Sequence, residues 1–485
     1  MFPSYLPFAP SPPAIVCQAQ PAPASPWVEM LVGSMRPLPS ARFYVFGATG
    51  DLVSKRAVRD AMVELAENNW LSSATNPLVL LGPTAQPAGA YLERFQRGDE
   101  ESKPISQAGF EAFGKLARLD GPGAQILGVN VTKLPDYQAL QADLKQGNAV
   151  FYGALPPKLY GSFLDNLRQS QLAHSPSGGF RRILLEKPFG NDSTQARRLD
   201  ESLESDFEPD QVLLVDHFLA YPGMTNMLSF RSDPAVDEAL HGRYVERFEV
   251  KVLESIKSND RPYFRDTGLI KDMVQSHGLQ VFATMALELP QNDDLRGERR
   301  KVIEEVQIEP DSARRGQFEG FNDPTQGSPV GAIPSQAETY VSFRFRVNSP
   351  RWRDVPFRFV NAKGLDHKRS GVDIYLRALP EKLARRWQTP PDQPVVIHTT
   401  MNPVARIWVD LPGRTLEIPY DTRVPNRMPY STLFLQAIRG DNAIFATPQE
   451  SLAGWRVADQ LTQLVQQRPM ISYQAGAALE QIDDR

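Results

Sequence analysis

Between Arg42 and Asp216 short apolar runs alternate with longer stretches whose apolar residues recur at helical spacing, and this alternation constrains the fold more than any other feature. Runs at 42–46, 77–82, 125–129, 149–154, 182–186 and 211–216 read as strands, and 52–68, 157–172 and 191–204 as helices, with Asn191 or Asp192 placed to cap the last. A helix between successive strands supplies the long crossover that parallel pairing needs, so a parallel sheet covered by helices is expected. After about 217 the alternation stops. The segment 268–288 reads as a buried helix, while 244–253, 338–347, 355–360, 372–378, 394–400 and 405–410 read as strands with no helix between them. Such strands pair antiparallel. Two helices near 430–438 and 448–467 close the chain, and 291–335, charged and rich in Gly, Pro and Ser, reads as an insertion with little regular structure.

With 485 residues, the chain exceeds what one core supports, and three parts are expected: a tail over 1–40, one domain over 41–216 and a second over 217–485. The tail follows from proline. Ten of the 42 prolines fall in the first 40 residues, where fixed backbone angles and missing donors exclude a helix or a central strand. Met35 stands just before the first strand, so what precedes it is read either as dispensable or as a regulatory tail. The first basic residue is Arg36, which argues against a secretory or mitochondrial leader, and no apolar run reaches the roughly 18 residues of a membrane span. A net charge of −4 argues against nucleic acid as a partner. The single cysteine, Cys17, forms no internal disulfide and suits a reducing, cytoplasmic setting.

Three places carry chemistry. GATGDL at 47–52 lies where the first strand turns into a helix, and Gly47 and Gly50 there let the backbone approach a pyrophosphate at a helix N-terminus. Thr49 is a candidate phosphate donor, and Lys55 and Arg56 are candidate charges. The second strand ends in LLGPTAQ at 80–86, with neither the acidic residue nor the arginine that selects a ribose, so coenzyme choice stays open. RRILLEKPFG at 181–190 and LLVDHFLAYP at 213–222 then set Lys187, Asp216 and His217 at strand ends, the carboxyl edge where open α/β sheets bind ligands. YFRDTGLIKDMVQSH at 263–277 carries Asp272 and His277 into a helix. Each has an ordinary structural explanation when taken alone, but a histidine oriented by an aspartate is also a general base for a hydroxyl proton. No cysteine cluster or His/carboxylate spacing suggests a metal site.

These motifs, with FYGALPP at 151–157, VPFRF and AKGL within 355–365 and FLQAIRGDNAIFATPQESLAGW at 434–455, come in the order of the glucose-6-phosphate dehydrogenase family. The chain resembles that family over essentially everything after residue 40. The resemblance implies an α/β fold: a Rossmann-type dinucleotide-binding domain, then an α+β domain with a large antiparallel sheet that forms the interface of a homodimer or homotetramer. It implies oxidation of the anomeric carbon of a hexose, a sugar or sugar phosphate, with NADP, or NAD, taking the hydride. His277 falls at the family's base, Asp216 at its carboxylate partner and Lys187 between coenzyme and sugar. His217, Asp272 and Lys363 match substrate-binding positions; Glu254 matches another, one residue short in its spacing to Tyr263. Gly47, Thr49, Gly50, Asp51, Leu52, Gln86, Pro156, Lys187 and Pro188 match the coenzyme site.

Two departures concern phosphate. The family's HYLGKE is HFLAYP here, so Phe218 has no hydroxyl and Tyr221 no charge, and Ala85 stands where an arginine meets the NADP 2′-phosphate. Charge-assisted hydrogen bonds are worth about 1.5–3 kcal/mol each, so these losses bear on substrate and coenzyme alike. Tyr221 is kept as a substrate contact, and Lys368, just after the Lys363 motif, is the candidate replacement cation. Alternatives are a dehydrogenase of an unphosphorylated or modified sugar, and a non-catalytic paralogue with a regulatory role. Retention of His277, Asp216 and Lys187 disfavours the second. His174, His241 and His398 are expected to be structural or on the surface.

Overall fold

The structure, a computed structural model, describes residues 37–483 except 100–101, 145–146, 176–177, 293 and 403. The expected tail, apart from 37–40, and Cys17 lie outside these residues. The chain forms two compact units. One holds the described chain up to Tyr221 together with Asn426–Leu452, and the other Pro222–Pro425 together with Ala453–Arg485.

The first unit is built on the expected parallel strands: β1 (Ala41–Phe46), β2 (Leu78–Gly82), β4 (Gln125–Gly128), β5 (Asn148–Gly153), β6 (Arg181–Glu186) and β7 (Val212–Val215), with a two-residue strand β3 (Gln86–Pro87) antiparallel to β4. Their order is β3-β4-β2-β1-β5-β6-β7. Residues of β1 and β5 are buried on both faces, as strands between two helical layers must be. Asp192 caps the helix Ser193–Asp206 by accepting from the Gln195 N–H at 2.8 Å. The sequence reading missed the helices Ala88–Arg97, Gln107–Leu116 and Leu134–Leu144, whose short apolar content is diluted by Gly, Gln and Glu. One covering layer comes from far along the chain. The helix Pro429–Arg439 sets Phe434 against Phe43 and Tyr152, with ring centroids 4.7 and 5.1 Å apart, and its Ala437 carbonyl accepts from Arg182.

The second unit holds a ten-stranded sheet formed by β8 (Val245–Leu253), β9 (Val306–Ile308), β10 (Arg314–Phe318), β11 (Tyr340–Val347), β12 (Phe357–Ala362), β13 (Arg369–Leu376), β14 (Val395–Asn402), β15 (Arg406–Leu411), β16 (Arg414–Ile418) and β17 (Met470–Tyr473). Pairing is mostly antiparallel, but β8 runs parallel to β12 and β10 to β17. Two expectations need correction. The stretch 291–335 is not structureless: it forms the helix Leu295–Glu304, β9 and β10, which the sheet recruits because Gly316 and Phe318 pair in register with β17. The helix expected over 268–288 is not one α-helix, since Ile270–Gly278 forms a π-helix that continues as the α-helix Leu279–Ala286. One sheet face packs Phe248, Phe345 and Phe357 against Phe282 and Trp352, and the Trp352 indole N–H donates to the Ala286 carbonyl at 2.6 Å.

Candidate functional site

The first unit presents its candidate residues along one edge. From β1 the chain runs outward through β2 to β4 and then crosses back to β5 on the other side of β1, so the strand order reverses and a crevice opens at the carboxyl ends of β1 and β5. The glycine turn is there. Gly47 has φ +75°, and a Cβ on it would lie 2.2 Å from the Ala154 carbonyl oxygen, so only glycine fits between the two strand ends. The Gly50 N–H donates to Gly47 O at 2.9 Å, and Gly50 starts the short helix Asp51–Ser54 that carries Leu52. Lys55 pairs with Asp51 at 2.9 Å and Arg56 with Asp99 at 2.9 Å, so neither of these expected charges is held toward the turn alone. Arg94 also reaches the turn: it donates to the Thr49 carbonyl at 2.5 Å and lies 3.3 Å from Asp51. Gln86 sits half-buried in β3, Ala85 is exposed, and Pro156 follows β5.

Because β1, β5, β6 and β7 are parallel neighbours about 4.8 Å apart, the residues after each emerge side by side within about 14 Å. Lys187 and Pro188 follow β6 through a cis peptide bond, and Asp216 and His217 follow β7. Asp216 is 1% exposed and accepts from the Phe218 N–H at 3.0 Å, capping the turn His217–Ala220. His217 lies among aromatic rings: Tyr430 stacked at 5.7 Å, Phe218 edge-on at 5.3 Å and Tyr221 at 6.1 Å. Phe218 is buried and packs edge-on with Tyr221 at 5.5 Å. Beneath this cluster lies Glu186, the last residue of β6. It accepts from the Tyr152 hydroxyl at 2.7 Å and is hydrogen-bonded to Tyr430, and burial pushes its carboxyl up to about 7.

In the second unit Glu254 and Lys363 follow β8 and β12. These strands are parallel, so both side chains emerge at one end and form an ion pair, with the Lys363 ammonium 5.1 Å from the centre of the Phe264 ring. The π-helix packs against the same two strands, and a Cβ on Gly278 would lie 2.2 Å from the Phe359 ring of β12. Bonding from i to i+5 brings residues five apart into one column, whereas they lie roughly 140° apart around an α-helix of 3.6 residues per turn. Asp272 and His277 are five apart. His277 is 2% exposed and Asp272 half-buried. Two features start the π-helix. Gly268 breaks the preceding helix at φ +68°, and the buried Glu338 carboxylate accepts from the Ile270 N–H at 2.9 Å. Burial pushes Glu338 up to about 6.

Lys368 is half-buried and His367 is exposed beside Asp366 at 2.5 Å. His398 is structural: its ring bridges Asp373 at 2.7 Å and Asp410 at 3.1 Å and stacks on Trp408. His241 accepts from the Arg243 N–H. Sequence reasoning overlooked Arg94, Glu338, Tyr430 and the buried role of Glu186. Only Glu186 carried a signal, an ionisable residue ending an otherwise apolar run.

Two family models match the chain: "Glucose-6-phosphate dehydrogenase, NAD binding domain" over residues 44–226 and "Glucose-6-phosphate dehydrogenase, C-terminal domain" over residues 230–481. Among curated relatives, the glucose-6-phosphate 1-dehydrogenase of Gluconobacter oxydans (strain 621H) is 28% identical over 473 residues, which is 90% of this chain and 93% of that protein. Glucose-6-phosphate 1-dehydrogenase 1 of Mycobacterium tuberculosis (strain CDC 1551 / Oshkosh) is 28% identical over 86% of this chain and 88% of its own length. A solved glucose-6-phosphate dehydrogenase in complex with its substrate glucose-6-phosphate superposes with a TM-score of 0.76 at 21% identity, covering 93% of this chain and 99% of its own. The Mycobacterium avium enzyme gives 0.74 at 24% identity, covering 91% and 95%. At these identities the structures speak for the fold.

Proposed function

The chain belongs to the glucose-6-phosphate dehydrogenase family, and from that premise we propose that it oxidises the anomeric carbon of glucose 6-phosphate to the 6-phosphogluconolactone, with NADP as hydride acceptor. The observation that carries this proposal is His277, buried on a π-helix that brings Asp272 into its column. In the mechanism His277 takes the proton of the anomeric hydroxyl as hydride leaves the same carbon, and Asp216 is assigned the role of the base's carboxylate partner. Asp272, Glu254 and Lys363 hold sugar hydroxyls, and Lys187 lies between sugar and coenzyme. His217 holds the sugar phosphate, with Tyr221 and Lys368 as the further contacts.

The glycine turn fits a dinucleotide, since Gly47 leaves no room for a side chain and Gly50 opens a helix at the crevice. A bound nicotinamide coenzyme supplies the hydride acceptor. Gly47, Thr49, Gly50, Asp51, Leu52, Gln86, Pro156 and Pro188 are assigned to its contacts, and Arg94 to the additional phosphate of NADP in place of the arginine that Ala85 replaces. Pairing of two copies through the large sheet is part of the same proposal, as is a cytoplasmic setting. Among the described residues no helix is long and apolar enough to cross a membrane.

The decisive measurement follows reduced-nicotinamide absorbance with NAD and NADP against glucose, glucose 6-phosphate and other aldoses. Glucose 6-phosphate with NADP is expected to be the best pair. A higher kcat/KM for an unphosphorylated sugar would overturn the substrate assignment. Sedimentation of monomer alone at micromolar concentration would overturn the dimer.

A further inference from the structure

Glu186 has the chemistry of a working group and no role in the mechanism above. Glu186 is buried at 6% exposure, and it ends the run RRILLE at a position where an apolar residue would complete the strand without the cost of burying a carboxyl group. The groups facing it come from every element packed around it: Tyr152 from β5, Tyr160 from the helix Tyr160–Gln169, Tyr430 from the helix Pro429–Arg439, Asp216 from the end of β7, and Lys187 next in the chain. Tyr152 and Tyr430 share the side-chain carboxyl, and the Tyr160 hydroxyl donates to the Glu186 backbone carbonyl. The Tyr430 ring itself stacks on His217, at 5.7 Å and 17°.

We propose that Glu186 is the positioning residue of this sheet edge: its bond to Tyr430 sets the ring on which His217 stacks, and its bond to Tyr152 anchors the strand end that presents Lys187. The inference rests on the assignment of His217 to the sugar phosphate and adds the residue that controls it. An ionised Glu186 accepts from both phenols at once. When it gains a proton it becomes a donor, and one phenol must turn away or accept instead. Burial and the Asp216 charge raise its proton affinity, while the two phenols and Lys187 lower it; the balance lies at about 7. The hold on His217 therefore loosens as pH falls through about 7, and sugar-phosphate affinity falls with it.

The test compares wild type with Glu186→Gln and Tyr430→Phe. The amide keeps the shape of the carboxyl but cannot change its charge, and phenylalanine keeps the stacked ring but loses the hydroxyl. At pH 8 each variant is expected to raise the KM for glucose 6-phosphate about tenfold while kcat stays within about threefold. The double variant should be no more than about twofold worse than either single one, because both break one bond. In Glu186→Gln the rise of KM below pH 7 should flatten. A purely structural role would instead lower the active fraction and leave KM and its pH profile alone, and that result overturns the proposal, as does additivity in the double variant.

A separate readout keeps the outcome distinct from that of the proposed function. The ring proton resonance of His217, identified by its loss in His217→Asn, is expected to show an inflection near pH 7 from Glu186 that disappears in Glu186→Gln. If no sugar is oxidised but this inflection behaves as stated, the functional assignment fails and the positioning stands. If sugar is oxidised and the inflection persists in Glu186→Gln, the positioning fails. Should Glu186→Gln not fold, Tyr430→Phe carries both measurements.

Discussion

Both units present their candidate residues at the carboxyl ends of parallel strands, yet they fix those residues by different means. In the first unit the whole sheet is parallel along β1, β5, β6 and β7, so the glycine turn, Lys187 and Asp216 line one edge through topology alone. In the second the sheet is mostly antiparallel, and Glu254 and Lys363 meet because β8 and β12 form a local parallel pair. The proposed base, His277, is then carried by a π-helix, whose unusual bonding depends on a glycine break at Gly268 and a buried carboxylate at Glu338. A regular architecture tolerates local change. A single irregular element does not, because its register is held by few groups.

The largest effect follows from that contrast. His277→Asn is expected to lower kcat by about 10²- to 10⁴-fold, the usual worth of a general base, while the dissociation constant for sugar phosphate changes little. Asp272→Asn, one π-turn earlier, should act mainly on KM. If Asp272→Asn lowers kcat as deeply as His277→Asn, the division into base and hydroxyl contact is wrong.

Next comes the fit of the π-helix to the sheet. Gly278→Ala would ordinarily favour a helix by about 1 kcal/mol, since its φ is helical. Here the added Cβ meets the Phe359 ring, which is itself fully buried and stacked on Phe343 at 5.3 Å. Overpacking of this kind costs about 1–3 kcal/mol, so a net loss of stability in urea is expected, with kcat falling as the π register is disturbed. A more stable, fully active variant would show that the register is not set by this contact.

The two buried carboxyls sharpen the comparison through pH. Glu186 is satisfied by phenols and Glu338 by backbone N–H groups, yet burial raises both above the ordinary glutamate value of 4.5. A folded value raised in this way contributes stability that is fully present below pH 4.5 and is lost as pH rises, through about 7 for Glu186 and about 6 for Glu338. Glutamine cannot ionise. The stability of Glu186→Gln relative to wild type should therefore improve by up to about 3 kcal/mol between pH 4.5 and 8, and that of Glu338→Gln by up to about 2 kcal/mol. Urea unfolding across that range checks both. A gap that stays flat with pH would mean the carboxyls are better solvated than their burial indicates.

How much of this was legible in the sequence follows the same division. The strands of the first unit were readable because burial on both faces writes continuous apolar runs, and the crossover helices write the spacing between them. The glycine turn was readable because positive φ against the Ala154 carbonyl leaves no other residue. The π-helix was not, since IKDMVQSHG has apolar residues spaced well enough for an α-helix; what selects the wider turn is Glu338, 68 residues away in sequence. Nor was the stretch 291–335, whose short strands gain their pairing only from β11 and β17. Tyr430 falls in the same class. Nothing near it in sequence shows that it covers a sheet laid down over 200 residues earlier.

The smallest effect concerns Arg94, and its interest lies in discrimination rather than size. The guanidinium is 39% exposed and its partner Asp51 55% exposed, so their ion pair contributes at most about 1 kcal/mol, and the firmer bond is to the Thr49 carbonyl. Two roles are open to such a group. If it only props the glycine turn, Arg94→Ala weakens every dinucleotide alike. If it also meets the 2′-phosphate, NADP loses a charge-assisted bond that NAD never makes, and the KM for NADP should rise about threefold to tenfold while that for NAD moves less than twofold. The ratio of the two kcat/KM values separates the roles, because propping cancels in it. An unchanged ratio would return coenzyme choice to the neutral turn after β2, where Thr84, Ala85 and Gln86 offer no charge, and would make equal use of NAD and NADP the expected behaviour.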